Sequence, residues 1–119
     1  LTLDQILNKL EEFGLKRIDA QIYFLLAKQG PLSHLDIIKT LNLMPQQTQR
    51  CLQKLQTKGI IYSTFECPVS FYALPPDEAL DLLIKKKQQE TQEIQQSKKE
   101  ILALWQSYAP KTQKKPLAK

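Results

Sequence analysis

Six long polar side chains crowd a short stretch of this chain: Gln46, Gln47, Gln49, Arg50, Gln53 and Lys54. A glutamine amide can grip the adenine edge through two hydrogen bonds, and Arg or Lys can grip guanine. The chemistry such a set would perform is therefore the reading of base edges in a major groove. Glutamine and lysine also furnish ordinary solvated helix surfaces, so the group's place in the fold has to decide. Thr48, Cys51, Leu52 and Leu55 recur between the polar residues at helical spacing. A helix from Pro45 to Lys58 would bury those four and turn the polar six outward.

Other combinations carry less. Ser33, His34 and Asp36 are the residue types of a hydrolase triad, but as neighbours on one helical turn they need not converge, and Ser33 is explained as a helix cap. The three glycines sit at three helix ends, so no glycine-rich phosphate loop exists. Carboxylate pairs such as Glu11-Glu12 and Asp77-Glu78 read as solvated faces and helix starts. Two cysteines, Cys51 and Cys67, and the one histidine, His34, cannot supply the four N or S ligands of a structural zinc site. No catalytic residue, metal or cofactor is expected. The thiols are read as free, with Cys51 a small core residue, which suits a reducing cytoplasm.

These residues need a scaffold, and 119 residues provide one core and little more. An apolar share of 42% and a charged share of 24% are those of a globular protein. Nowhere do 18 apolar residues run together. The first ten residues lack the basic start and apolar core of a signal peptide, and opening on Leu1 is read as the mark of a trimmed chain. The formal charge of +5 is mostly Lys111, Lys114, Lys115 and Lys119. More telling is the segment 31–61, where Lys39, Arg50, Lys54 and Lys58 face only Asp36.

Thr2 with Gln5 reads as a capping box, opening a helix that places Leu3, Ile6, Leu7, Leu10 and Phe13 on one face before Gly14. A second helix, Lys16 to Gln29, should bury Ile18, Ile22, Leu25 and Leu26 and stop at Gly30-Pro31. Ser33 then caps a short helix, Leu35 to Leu41, presenting Leu35, Ile38 and Leu41. After a turn at Asn42-Leu43, Pro45 occupies the first position of the next helix, where its missing N–H has no partner to lose. This spacing is that of a helix-turn-helix. Residues 60–65 and 69–74 are β-branched and aromatic, giving a hairpin about Glu66-Cys67-Pro68. Helix-turn-helix followed by hairpin is the winged-helix order. From Asp77, after Pro75-Pro76, a helix can run to Tyr108, roughly 48 Å at the standard rise. Its seven-residue seam holds Leu80, Ile84, Ile94, Ile101, Trp105 and Tyr108, apolar enough from Ile94 onward to want a partner.

The same pieces resemble the TrmB-like family of archaeal and bacterial winged-helix transcription regulators over residues 5–108. The resemblance rests on Phe13-Gly14-Leu15, Asp19-Ala20-Gln21-Ile22-Tyr23, Gly30-Pro31, the run Leu52-x-x-Leu55-x-x-Lys58-Gly59-Ile60 and, most specifically, Tyr72-Ala73-Leu74-Pro75-Pro76-Asp77-Glu78-Ala79-Leu80. It implies sequence-specific binding of duplex DNA by a homodimer, the recognition helix matching Pro45 to Lys58 and the C-terminal helix pairing across the dimer. Larger members carry a sugar-binding domain after that helix. This chain stops there, so no effector pocket can be carried over from the resemblance, and no small-molecule effector is predicted. Many members have a basic wing where this one has Glu66 to Ser70, and the recognition helix here is unusually rich in glutamine.

The expectation is a mainly α fold with a small β-hairpin: a winged helix-turn-helix over 1–75, a dimerisation helix over 76–108 and a disordered basic tail over 109–119. Gln46, Gln47, Gln49, Arg50, Gln53 and Lys54 would read two half-sites. Ser33, Lys39 and Lys58 would hold phosphates, and the wing tip would avoid them. A regulator of this kind would be cytoplasmic and nucleoid-associated. The rival is a protein-interaction winged helix using Trp105, Tyr108 and the segment Cys67 to Val69. A nonspecific architectural DNA binder would instead lean on the lysine tail, and deleting Lys111 to Lys119 would separate it from a specific reader.

Overall fold

The computed structural model describes residues 2–108. Its elements are α1 (Leu3–Glu12), α2 (Arg17–Gln29), β1 (Leu32–Ser33), α3 (His34–Leu41), α4 (Pro45–Lys58), β2 (Ile61–Ser63), β3 (Ser70–Ala73) and α5 (Pro76–Trp105). Two compact units divide the chain between Lys85 and Lys86. The first takes in the opening turns of α5 as well as the residues before it. The lysine tail expected over 109–119 lies outside the described residues.

Local chemistry sets each boundary in the first unit. The Thr2 hydroxyl accepts from the Gln5 N–H while the Gln5 amide accepts from the Thr2 N–H, so the capping box forms. Arg17 joins α2 to α1, donating to Asn8 at 2.7 Å and Glu11 at 2.9 Å and pairing with Asp4. Ser33 caps α3 by accepting from the Asp36 N–H at 3.1 Å. Asn42 takes the left-handed conformation that ends α3, and Pro45 stands at the first turn of α4. Gly59 closes α4 at φ +80°, a conformation that L side chains resist, and a methyl there would also press on Leu82 at 3.1 Å.

The core sits where α2, α3 and α4 meet the sheet. Ile22, Leu26, Ile37, Leu55, Ile60 and Ile61 are its largest fully buried apolar side chains, each stabilising the fold by roughly 1.5–3 kcal/mol. Ala79 and Leu83 bring the start of α5 into the same core. The Tyr23 hydroxyl donates to the Leu74 carbonyl at 2.5 Å, tying α2 to the end of the hairpin.

Among the described residues the sheet has three strands, not the two expected. Leu32-Ser33 pairs antiparallel with β3, opposite Phe71 and Ser70, so the order is β1-β3-β2. Leu32 and the Ser33 cap, directly after Pro31, are too short a run to show alternation, which is why β1 is invisible in the sequence. The hairpin strands are shorter than 60–65 and 69–74 because pairing ends at Ser63 and Phe71. Beyond them the Thr64 hydroxyl accepts from the Ser70 N–H and the Thr64 N–H donates to the Ser70 carbonyl, opening the wing tip. In α3 the buried residue is Ile37, whereas Leu35 is 64% exposed. Adjacent isoleucines gave that helix two candidate faces, and contact with α2 and α4 selects the one centred on Ile37.

In the second unit α5 continues to Trp105, three residues short of the expected end, and Ser107 and Tyr108 close tighter turns onto Leu104 and Trp105. Ile94, Ile101, Leu102, Leu104, Trp105 and Tyr108 all stand exposed there.

Candidate nucleic-acid interface

The helix α4 is buried along one side and free along the other. Thr48, Cys51, Leu52 and Leu55 lie in the core, as their spacing requires. At about 100° per residue the direction opposite that stripe is held by Gln46, Arg50, Gln53 and Thr57, all exposed. Gln49 and Gln56 stand on one flank; Gln47, Lys54 and Lys58 stand on the other. Gln47 and Lys58 are only half exposed. The Thr57 hydroxyl donates to the Gln53 carbonyl at 2.9 Å, which keeps it against the helix.

The Gln49 flank borders a groove of about 320 Å³ lined by His34, Gln49, Leu52, Gln53, Gln56 and Phe71. Sequence reasoning missed His34 and Gln56 as neighbours of the exposed face of α4. The only available signal was helical phase for Gln56, and β1 is needed to bring His34 and Phe71 there. On the opposite flank Lys54 reaches Asp19 of α2 at 3.2 Å. Asp19 is 2% exposed, and among the described residues its second oxygen has no hydrogen-bond partner. Beside it, burial and then the Asp19 carboxylate push the Cys51 thiol up to about 11, so this cysteine stays protonated and inert.

The flanking positions are less uniform. Ser33 spends its acceptor on the α3 cap, while Lys39 is exposed. At the wing, Phe65 is fully exposed, Val69 is exposed, and Tyr62 packs on Tyr72 with ring centroids 5.7 Å apart. No cation occupies 60–75, and Glu66 lies at the tip. Of the residues expected at a dimer contact, Leu80 is half-buried against the core of its own chain, and Ile84, Ile94, Ile101, Trp105 and Tyr108 are exposed. Among the described residues, no three His, Cys, Asp or Glu side chains are grouped to hold a metal, and no helix is long and apolar enough to cross a membrane.

A helix-turn-helix, a three-stranded wing and a long following helix define a winged helix-turn-helix of the kind found in transcription regulators. The family model for the sugar-specific transcriptional regulator TrmB matches residues 10–77, more than half of the chain. This protein belongs to the TrmB family, a family of transcriptional regulators and not of enzymes. The solved structure of TrmBL2, an archaeal chromatin protein with a novel mode of DNA binding, is similar at TM-score 0.75 and 21% identity. That match covers 88% of this chain and 41% of TrmBL2, so the chain spans less than half the length of that relative. A possible transcriptional regulator from Methanosarcina mazei shares the fold at TM-score 0.58 and 15% identity, over 84% of this chain and 88% of its own. So does a mutant of the Staphylococcus aureus regulator MepR bound to an oligodeoxyribonucleotide, at TM-score 0.55 and 17% identity, over 89% and 88%. No curated protein matches the sequence.

Proposed function

We propose that this chain regulates transcription by binding duplex DNA as a homodimer, each copy laying α4 in a major groove. The observation that carries the reading is the outward arc of α4. Gln46, Arg50 and Gln53 are exposed on a helix whose other side is locked in the core, and α4 is the second helix of the helix-turn-helix. Gln47, Gln49 and Lys54 flank that arc. Lys39 and Lys58, with the backbone N–H groups near Ser33 and Pro45, serve the phosphates. The exposed apolar residues from Ile94 to Tyr108 support pairing with a second copy. A protein of this kind works where the chromosome is, in the cytoplasm and on the nucleoid.

A protein-interaction role is favoured by one feature, the apolar wing tip with Phe65 and Val69 in solvent and no cation. Selection from a random-duplex library at ~150 mM salt, where nonspecific contacts weaken, decides between the two. Enrichment of a two-fold symmetric motif is the expected result. A folded dimer that enriches nothing overturns operator reading in favour of a protein partner.

A further inference from the structure

Of the cations on α4, Lys54 alone is engaged by another element among the described residues. Its ammonium lies 3.2 Å from Asp19 Oδ2. Asp19 is 2% exposed and sits on α2, and among the described residues its Oδ1 has no hydrogen-bond partner. A carboxylate taken out of water depends heavily on the cation that answers it. Lys54 is therefore held toward α2 by a partner that cannot turn to solvent. Arg50, one turn earlier, has no ion pair or hydrogen bond among the described residues and keeps its charge on the outward arc.

We infer that Asp19 is a positioning residue of the recognition helix: it fixes α4 against α2 and withholds Lys54 from the phosphate backbone. The inference rests on the proposed binding of DNA through α4, and it changes what that helix is expected to do. With Lys54 neutralised in place, α4 keeps two cations for DNA, Arg50 on the outward arc and Lys58 at its last turn, among glutamine amides. Sequence readout by amides then outweighs phosphate contact from α4, and the affinity falls less steeply with salt than the count of lysines and arginines implies.

The test has two arms. In the first, the affinity of the full chain for a duplex is followed between 50 and 200 mM salt. Asp19→Asn frees Lys54 for a phosphate and adds about 0.9 per chain to the slope of log K against log salt. For a dimer that is about a twelvefold greater loss across this range. Lys54→Gln leaves the wild-type slope unchanged, Lys54→Arg keeps the pair and the slope, and the double variant Asp19→Asn/Lys54→Gln returns to the wild-type slope. A slope made shallower by Lys54→Gln alone places Lys54 on a phosphate and overturns the inference, as does an Asp19→Asn slope equal to wild type.

The second arm needs no DNA. Denaturation midpoints of wild type, Asp19→Asn, Lys54→Gln and the double variant are compared, and the double variant should lose clearly less than the two single losses together. Additive losses mean that the pair does not hold α4, and the inference fails. Should no variant bind any duplex while the midpoints remain coupled, the DNA reading fails and the positioning role of Asp19 stands.

Discussion

Replacing Arg50 by alanine is the sharpest probe of the reading face. Arg50 is exposed on α4 and has no ion pair or hydrogen bond among the described residues, so its loss should change stability by no more than about 0.5 kcal/mol. A bidentate contact from Arg to a guanine edge is worth about 1–3 kcal/mol of discrimination. A symmetric dimer places one such contact in each half-site, and distant sites add. Even at the lower bound the dimer loses about 2 kcal/mol, or roughly thirtyfold in affinity. Fluorescence anisotropy with the selected operator, and with variants changed at each position, measures both the affinity and the base preference. The affinity should fall by at least that factor and the preference should relax at one position per half-site. The salt slope should stay as it was, because a base contact releases no phosphate counterion. Unchanged affinity and unchanged preference would show that α4 does not lie in the groove.

Three further outcomes follow from the packing. Tyr23 is held up to about 12 by burial first and then by the charge of Asp77, against an ordinary value of 10.0. Its contribution is complete below about pH 10 and is lost as pH rises to about 12. Tyr23→Phe should make the alkaline limb of denaturation against pH shallower, leaving the share of Cys51, which is also raised, to about 11, while costing about 0.5–1.5 kcal/mol at neutral pH for the lost bond to Leu74; an alkaline limb as steep as wild type refutes the assignment. Ser33→Ala removes the α3 cap and should cost about 1 kcal/mol in chemical denaturation, and a loss near zero would mean that the cap contributes nothing. Ile101→Glu puts charge on an exposed position of the α5 seam, so sedimentation should show a folded monomer; an undisturbed dimer would move the interface elsewhere.

Much of the scaffold is legible because short-range chemistry fixes it. Thr2, Ser33, Pro45 and Gly59 each satisfy or excuse terminal backbone groups of a helix, and those boundaries fall within a residue or two of expectation. The buried stripe of α4 follows from one period of apolar residues with no competing pattern. Where two patterns compete, the sequence is silent. Leu35, Ile37 and Ile38 offer α3 more than one face, and the neighbouring helices choose. The strand Leu32-Ser33 exists only because β3 passes beside it, a long-range event with no local signature. The pairing of Asp19 with Lys54 has no signature in the sequence, since an acid three residues into a helix is ordinary until α4 packs over it. The candidate interface was legible as a set of residues, but not its division into an outward arc, a grooved flank beside His34 and a flank anchored to Asp19. That division depends on which element lies on each side of α4.

The central claim is that two copies of α4 enter major grooves on one face of a duplex. Its most direct test is the affinity for the selected operator as the spacing between half-sites is increased by five and then by ten base pairs. Half-sites moved by about half a turn point to opposite faces, and those moved by about a full turn realign. Two linked recognition helices should lose most of their affinity at the first insertion and regain part of it at the second. Equal affinity at all three spacings would mean that each chain binds DNA alone, contradicting the paired reading.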